Sequence, residues 1–331
     1  MSTHPPLEDA FGRIHTYLRV SVTDRCNYRC VYCMPEEGLN WVPRADLLRY
    51  EEVARIVGIM ASMGVDKVRI TGGEPTIRAD IISLIESIAS ISGIKDVAMT
   101  TNAHTLAKLA PSLRAAGLNR VNISIDSLQD ARFSELTRGG NLQRVLAGIE
   151  AARDAGLTPI KLNVVLLDGL NDDELFDFVD FCAPHAKDTE LRFIEYMPFQ
   201  ERRFKTVPTE RMRAQLRDRF GFSANPARGA SDGPAQTLRL ADSGLKVGFI
   251  SPLSEHFCAT CNRLRLVADG HLRTCLAHED TPSLRDLVRN DNSDADIRTA
   301  IRGMVFGKPS GHDCQVDGGT LFEGVMTSIG G

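Results

Sequence analysis

The sequence predicts an α/β protein in which six βα units roll into a barrel with a polar lumen. Three observations carry this expectation. Short apolar or alternating runs at Tyr17 to Val22, Asp66 to Thr71, Lys95 to Thr101, Arg120 to Asp126, Pro159 to Val165 and Glu190 to Tyr196 read as six strands. Between them lie helical patterns at Tyr50 to Met63, Asp80 to Ile91, Leu106 to Ala116, Leu142 to Ala155 and Asp172 to Cys182, several ended by a glycine at Gly64, Gly117 or Gly156. Strand and helix in regular alternation mark parallel units, because a parallel partner needs a long crossover. The third observation is strand parity, which separates a barrel from an open sheet.

Side chains alternate faces along a strand. In RVNISID, Val121, Ile123 and Ile125 share one face while Asn122, Ser124 and Asp126 share the other. Both faces of an open parallel sheet would be apolar. Strand one repeats the split, with Arg19, Ser21 and Thr23 opposite Leu18, Val20 and Val22; Arg69 and Thr71 continue it on strand two, Lys161 and Asn163 on strand five. Any one of these polar groups could merely satisfy a neighbour in a packed barrel. Three cations from three strands, Arg19, Arg69 and Lys161, suit a polyanionic ligand such as a triphosphate.

With 331 residues, the chain can hold a barrel of about 200 to 250 residues plus an extension, or two ordinary domains. Hydrophobic residues at 43% and charged residues at 25% exclude wholesale disorder. A net charge of -4 argues against a general nucleic-acid or membrane-surface binder. The start, MSTHPPLEDAFGR, has neither the basic residues nor the apolar core of a leader, and no run of about 18 apolar residues occurs. The expected location is the cytosol, with no membrane insertion.

Cytosolic thiols are seldom paired as disulfides, so clustered ones hold metals or do chemistry. Six of the eight cysteines form two groups, Cys26, Cys30 and Cys33, then Cys258, Cys261 and Cys275. Cys182 and Cys314 stand alone as small buried hydrophobes. The first group, C-x3-C-x2-C, begins just beyond strand one, at the strand end where sites of such folds gather. TGGEP, residues 71 to 75, follows strand two; its glycines let backbone approach a ligand closely, although the same residues would also make a plain tight turn. Structural zinc wants four ligands, which His15 or a distant cysteine would have to complete; a 4Fe-4S cluster on three thiolates keeps one iron open.

C-x3-C-x2-C with Tyr32 before the last cysteine, followed by GGEP after the next strand, resembles the radical S-adenosylmethionine superfamily. That resemblance implies an incomplete barrel of six βα units and a 4Fe-4S cluster whose open iron chelates S-adenosylmethionine. With the C-x2-C-x13-C of Cys258, Cys261 and Cys275, the enclosed Arg263 and Arg265, and an end in Gly330 and Gly331, the chain is similar along nearly its whole length to the GTP 3′,8-cyclase family, the molybdenum cofactor biosynthesis A proteins. YLRVSVTDRCN, VRITGGEP, RVNISIDSL, KLNVVLLDGLND, LRFIEYM and FCATCNRLRL carry the similarity in order.

The resemblance implies roles. Cys26, Cys30 and Cys33 would hold the S-adenosylmethionine cluster, and Tyr32, Gly73, Ser124 and Met197 would line the cofactor site. Cys258, Cys261 and Cys275 would bind a second 4Fe-4S cluster that meets the purine of GTP. Arg19, Arg69, Thr100, Lys161, Arg263 and Arg265 would hold the nucleotide, with Arg19 and the Gly330-Gly331 tail acting in catalysis. A partial barrel over 1–198 and an extension over 199–331 follow. So do an external electron donor, a downstream cyclic pyranopterin monophosphate synthase and a possible homodimer. RLRLVADGHLRTC suggests a lid hairpin turning at Asp269-Gly270.

The family usually has Thr-Thr-Asn-Gly after strand three, where this chain has Ala103, which must then accept a glycine-like backbone angle. The basic stretch from Arg202 to Arg219 reads as a solvated helix face. Three alternatives stand beside the main reading. Zinc could occupy the second trio with His256 or His271. A peptide maturase would be another two-cluster radical enzyme, though such enzymes tend to have longer, more cysteine-rich C-terminal domains. A non-enzymatic iron-sulfur carrier would need no open iron and no converging cations.

Overall fold

The computed structural model describes residues 4–199, 201, 203–223, 233–278, 282–315, 321–322, 325–327 and 329. All six expected strands form, as β1 (Tyr17–Ser21), β2 (Lys67–Thr71), β3 (Asp96–Thr101), β4 (Arg120–Ser124), β5 (Ile160–Val165) and β6 (Thr189–Ile194). Each is parallel to the next. The connecting helices are α1 (Tyr50–Ser62), α2 (Ile81–Ala89), α3 (Leu106–Ala115), α4 (Asp130–Thr137), α5 (Leu142–Asp154) and α6 (Leu175–Cys182). Gly64, Gly117 and Gly156 end α1, α3 and α5 at φ 99°, 101° and 71°, the left-handed region that their sequence positions predict.

Core and lumen divide by strand parity. Val20, Ile70, Met99, Ile123 and Leu162 point outward beneath the helices and are fully or almost fully buried. On α1, Val53, Ile56, Val57 and Met60 recur at helical spacing and lie wholly inside the same layer. A fully buried side chain of this kind is worth about 1.5–3 kcal/mol, so the outer layer holds the barrel wall in shape.

Residues after 198 rejoin the same sheet at both of its edges. Past β6 the order continues with β9 (Lys246–Ile250), β8 (Gln236–Leu240) and β7 (Phe222–Ser223); beside β1 stand β10 (Arg263–Leu266) and β11 (Leu272–Arg273). α7 (Thr209–Phe220) precedes β7, while α8 (Leu284–Arg289) and α9 (Asp294–Phe306) pack on α1. The Asp269-Gly270 hairpin forms, with Gly270 at φ 95°. It is barrel wall rather than lid, because β10 pairs in parallel with β1.

Ala103 takes φ 58°, so the strained angle expected from its sequence position is present. Cys182 and Cys314 are both buried among apolar side chains. α4 was not expected. Its segment, DARFSELT, buries only Phe133, Leu136 and Thr137, too few for a periodic signal. α7 begins at Thr209, beyond the expected start, since Pro208 takes the N-cap; Arg213 on it pairs with Glu255, so this face is not simply solvated.

Candidate active site

A cavity of about 660 Å³ occupies the barrel lumen, and both cysteine trios open into it. Cys26, Cys30 and Cys33 lie half-buried on the loop after β1. That loop is laced to the end of α4: Arg29 N–H donates to the Thr137 carbonyl at 3.1 Å and Val31 N–H to Leu136 at 2.9 Å. Arg138 adds donations to the Arg29 and Met34 carbonyls. On the other side stands TGGEP. A Cβ on Gly73 would lie 2.2 Å from the Arg25 carbonyl oxygen, so only glycine permits this approach. What the glycines approach is the cysteine loop's own lead-in, with Gly73 N–H on Thr23 at 2.7 Å and Glu74 N–H on Arg25 at 2.8 Å. The buried Glu74 carboxylate accepts from Thr76, Thr101 and Asn102, joining the ends of β2 and β3.

Tyr32 and Gly73 line the cavity together with Ser124 on β4 and Met197 after β6. The Tyr32 hydroxyl donates to Asp126 at 2.6 Å, and the other Asp126 oxygen accepts from Val165 N–H at 2.8 Å. Burial pushes Cys26 up to about 11, Cys33 up to about 12 and Cys30 well above its ordinary range. A metal centre held by these thiols would have to displace their protons.

Register places the nucleotide candidates in rows. Arg265, Arg19, Arg69 and Ala98 are successive partners on β10, β1, β2 and β3, and Ala98 faces Arg120 on β4. One layer up, Thr100, Asn122, Lys161 and Glu190 follow one another from β3 to β6. Arg19, Arg69, Thr100, Lys161, Arg263 and Arg265 all line the one cavity. Strand parity also brings in cations that sequence analysis did not single out, Lys67, Arg120, Arg192 and Lys246. Extending the alternation of Lys67 with Arg69, of Arg120 with Asn122, and of Glu190 with Arg192 would have found the first three; Lys246 lies on β9, a strand that the sequence analysis did not read. Glu190 holds Lys161 at 3.1 Å and Arg192 at 2.6 Å.

This lumen is built to receive a polar ligand. Among the described residues, the Tyr17 hydroxyl, the Thr100 hydroxyl, both side-chain amide atoms of Asn122 and the Asn163 side-chain Oδ1 are buried without a protein hydrogen-bond partner. Groups so placed cost free energy unless something satisfies them, and cations crowded at this density repel one another until an anion arrives. Burial, despite the nearby Tyr17, pulls the Arg19 and Arg69 guanidinium values down, the direction that an anion would reverse.

The second trio sits at the β10 edge. Cys258 and Cys261 flank a short 3-10 turn, and Cys275 follows β11. Burial pushes Cys258 upward. At Cys261 burial acts the same way, yet the positive charges of Arg263 and Lys308 outweigh it and bring the thiol down to about 7. A Cβ on Gly311 would lie 3.6 Å from the Cys258 sulfur, so the 309–311 loop passes close over that thiol. Among the described residues no three His, Cys, Asp or Glu side chains close on a point for a single metal ion; a cluster takes each thiolate on a different iron. His15 is held by Asp9 at 2.9 Å, His256 stacks on His312 at 4.7 Å, and His271 meets Asp269 at 3.0 Å.

His104 carries no sequence signal, but its Nδ1 meets the Tyr28 hydroxyl at 3.0 Å and its Nε2 meets Arg144 at 2.9 Å, tying the cysteine loop to α5. Gly330 and Gly331 lie outside the described residues. Ile329, just before them, is buried, and Met326 and Thr327 line the cavity. No helix among the described residues is long and apolar enough to cross a membrane.

A six-unit partial barrel with a three-thiol loop beyond β1 and a glycine turn beyond β2 defines a radical S-adenosylmethionine enzyme, a class that carries S-adenosylmethionine and a 4Fe-4S cluster. Residues 20–182 match the Radical SAM superfamily and residues 189–314 match Molybdenum Cofactor Synthesis C. A protein of Listeria welshimeri named GTP 3′,8-cyclase is 44% identical over 314 residues, 93% of this chain and 92% of the relative. The mitochondrial GTP 3′,8-cyclase of Arabidopsis thaliana is 41% identical over 98% of this chain and 83% of its own. Among solved structures, Streptococcus suis SuiB bound to S-adenosylmethionine superposes with a TM-score of 0.61 at 17% identity, covering 86% of this chain and 68% of SuiB, a likeness of fold alone. The chain belongs to the GTP 3′,8-cyclase family.

Proposed function

We infer that this chain converts GTP to (8S)-3′,8-cyclo-7,8-dihydroguanosine 5′-triphosphate, the first step of molybdenum cofactor biosynthesis. The observation that carries the reading is one cavity lined by two thiol trios, with rows of cations from β10, β1, β2 and β5 in its wall. When bound, S-adenosylmethionine and its cluster supply a 5′-deoxyadenosyl radical, a reagent able to take a hydrogen atom from carbon. Everything else falls to the chain's own residues.

Cys26, Cys30 and Cys33 hold the first cluster, and Tyr32, Gly73, Ser124 and Met197 hold S-adenosylmethionine beside it. Cys258, Cys261 and Cys275 would hold a second 4Fe-4S cluster, which would offer the purine a ligand site. Arg19, Arg69, Thr100, Lys161, Arg263 and Arg265 orient GTP, with guanidinium forks suited to phosphate and purine acceptors. Residues 1–198 and 199–331 thus divide the labour between cofactor and purine. Strand-borne cations are rigid, and a fixed substrate pose is the main acceleration a protein can add to such chemistry. Arg19 and the Gly330-Gly331 tail act together on the substrate. The enzyme works in the cytosol, with an external electron donor and a cyclic pyranopterin monophosphate synthase that consumes its product, as a monomer or homodimer.

The test is anaerobic incubation of the reconstituted protein with S-adenosylmethionine, reductant and each nucleoside triphosphate in turn, read by mass spectrometry. GTP alone should give an isomer of its own mass together with 5′-deoxyadenosine. Conversion of another triphosphate in preference to GTP, or S-adenosylmethionine cleavage without any altered nucleotide, would overturn the assignment.

A further inference from the structure

The turn from Asp9 to His15, ahead of β1, is a buried polar constellation whose Arg13 reaches the cavity wall beside the second thiol trio. One Asp9 oxygen accepts from the N–H groups of Phe11 and Arg13 at 2.9 and 3.1 Å. The other takes Arg13 Nε at 2.6 Å and His15 Nε2 at 2.9 Å. All three polar side chains are buried, and Gly12 supplies the φ of 76° that the turn requires. A carboxylate so engaged has one mechanical effect: it aims the remaining Arg13 donors.

Those donors reach the second thiol trio. Arg13 Nη1 donates to the Cys258 carbonyl at 2.8 Å and to Ser310 at 2.9 Å, and Nη2 donates to Pro309 at 2.6 Å. One guanidinium therefore joins the first thiol's own backbone to the loop that passes over its sulfur. From the other side, buried Lys308 donates to the Arg263 carbonyl at 2.8 Å and the Thr274 carbonyl at 2.5 Å, and lies 3.7 Å from the Cys261 sulfur. The three cysteines come from separate segments, 258–261 and 275. The β10–β11 hairpin brings Cys261 and Cys275 together, whereas Cys258 precedes it by a 3-10 turn and is tied to the overlying loop by the Arg13 clamp.

We propose that Arg13, aimed by Asp9, is a positioning residue for the second cluster: it sets the Cys258 loop for metal binding and contributes positive charge beside it. The inference rests on the two-cluster reading above. Outer partners of metal ligands commonly set both affinity and electronic properties, and arginine's five donors in one plane serve Asp9 and three carbonyls together, one more contact than the three donors of an ammonium supply.

The experiment uses the full chain with Cys26, Cys30 and Cys33 all changed to serine, so that iron bound after anaerobic reconstitution reports the second trio alone. The parent should hold about four irons and give a reducible cluster signal in electron paramagnetic resonance. Arg13→Ala in that background should lower iron by about tenfold in apparent affinity and move the remaining cluster's midpoint potential to more negative values, since a cation is lost beside it and Asp9 is left unbalanced. Arg13→Lys should restore the potential while recovering only part of the iron. Asp9→Asn, which keeps the cation but loosens its aim, should lower iron with little change of potential, and it serves as the deciding variant if Arg13→Ala does not fold. Arg55→Ala, which removes a surface pair with Asp294, is the neutral control. A parent without iron overturns the two-cluster reading itself. A loaded parent whose Arg13 and Asp9 variants match it in iron and potential overturns the clamp alone.

Discussion

Arg265 on β10 donates to the carbonyl of Ile329 at 3.4 Å, the last described residue before Gly330 and Gly331. Arg265 is also the register partner of Arg19. Ile329 is therefore anchored on the arginine row of the lumen.

Deletion of Gly330 and Gly331 should accordingly leave iron content and thermal unfolding unchanged while lowering GTP conversion by about a hundredfold, the scale that loss of substrate positioning produces. A short peptide ending in the native tail should restore part of the rate. Undiminished turnover by the truncated chain would return the tail to an ordinary end.

The two trios should separate by function. Cys30→Ser should abolish reductive cleavage of S-adenosylmethionine. Cys261→Ser should retain cleavage and lose cyclisation, and its iron should fall from about eight to about four per chain. Equal loss of cleavage in both folded variants would contradict the division, as would a native protein that binds stoichiometric zinc.

Lys161 provides a pH signature. Burial, reinforced by neighbouring Arg192 and opposed by Glu190, lowers it to about 8. Its charge is present below that value and lost as pH rises through it, and a triphosphate binds the charged form. GTP affinity should therefore weaken by about tenfold from pH 7 to pH 9, the worth of one charge-assisted contact. Lys161→Arg should flatten this fall, whereas Lys161→Met should bind weakly at every pH. Identical profiles for the native protein and Lys161→Arg would remove Lys161 from the site.

Glu52 joins the two ends of the fold. On α1 it accepts from Arg289 of α8 at 2.8 Å and from the Arg49 backbone at 2.7 Å. Burial raises its pKa, but these donors prevail and lower it from 4.5 to about 2. A depressed carboxylate stabilises the fold above its unfolded value and loses that contribution as pH falls. Glu52→Gln should cost on the order of 2 kcal/mol at pH 7, and the gap from the native chain should close between about pH 4.5 and pH 2. Denaturant midpoints that stay equally separated down to pH 3 would argue against the linkage.

The sequence by itself determined the units and their polarity. Period-two alternation in β1, β2, β4 and β5 marks one apolar and one polar face wherever such strands are placed, so Arg19, Arg69, Lys161 and Asn163 were legible as lumen residues. Helix ends at Gly64, Gly117 and Gly156, and the unusual angle of Ala103, are equally local, since backbone sterics depend on the residue itself. Tertiary structure decided what depends on partners distant along the chain. That β10 closes against β1 and β9 against β6 follows from backbone hydrogen bonds that carry no residue code. The same holds for α4, whose last carbonyls shape the first cysteine loop, and for Arg13, whose donors meet backbone carbonyls of the second trio and its overlying loop. A carbonyl is the same in every residue, so contacts made to it leave no trace in a single sequence.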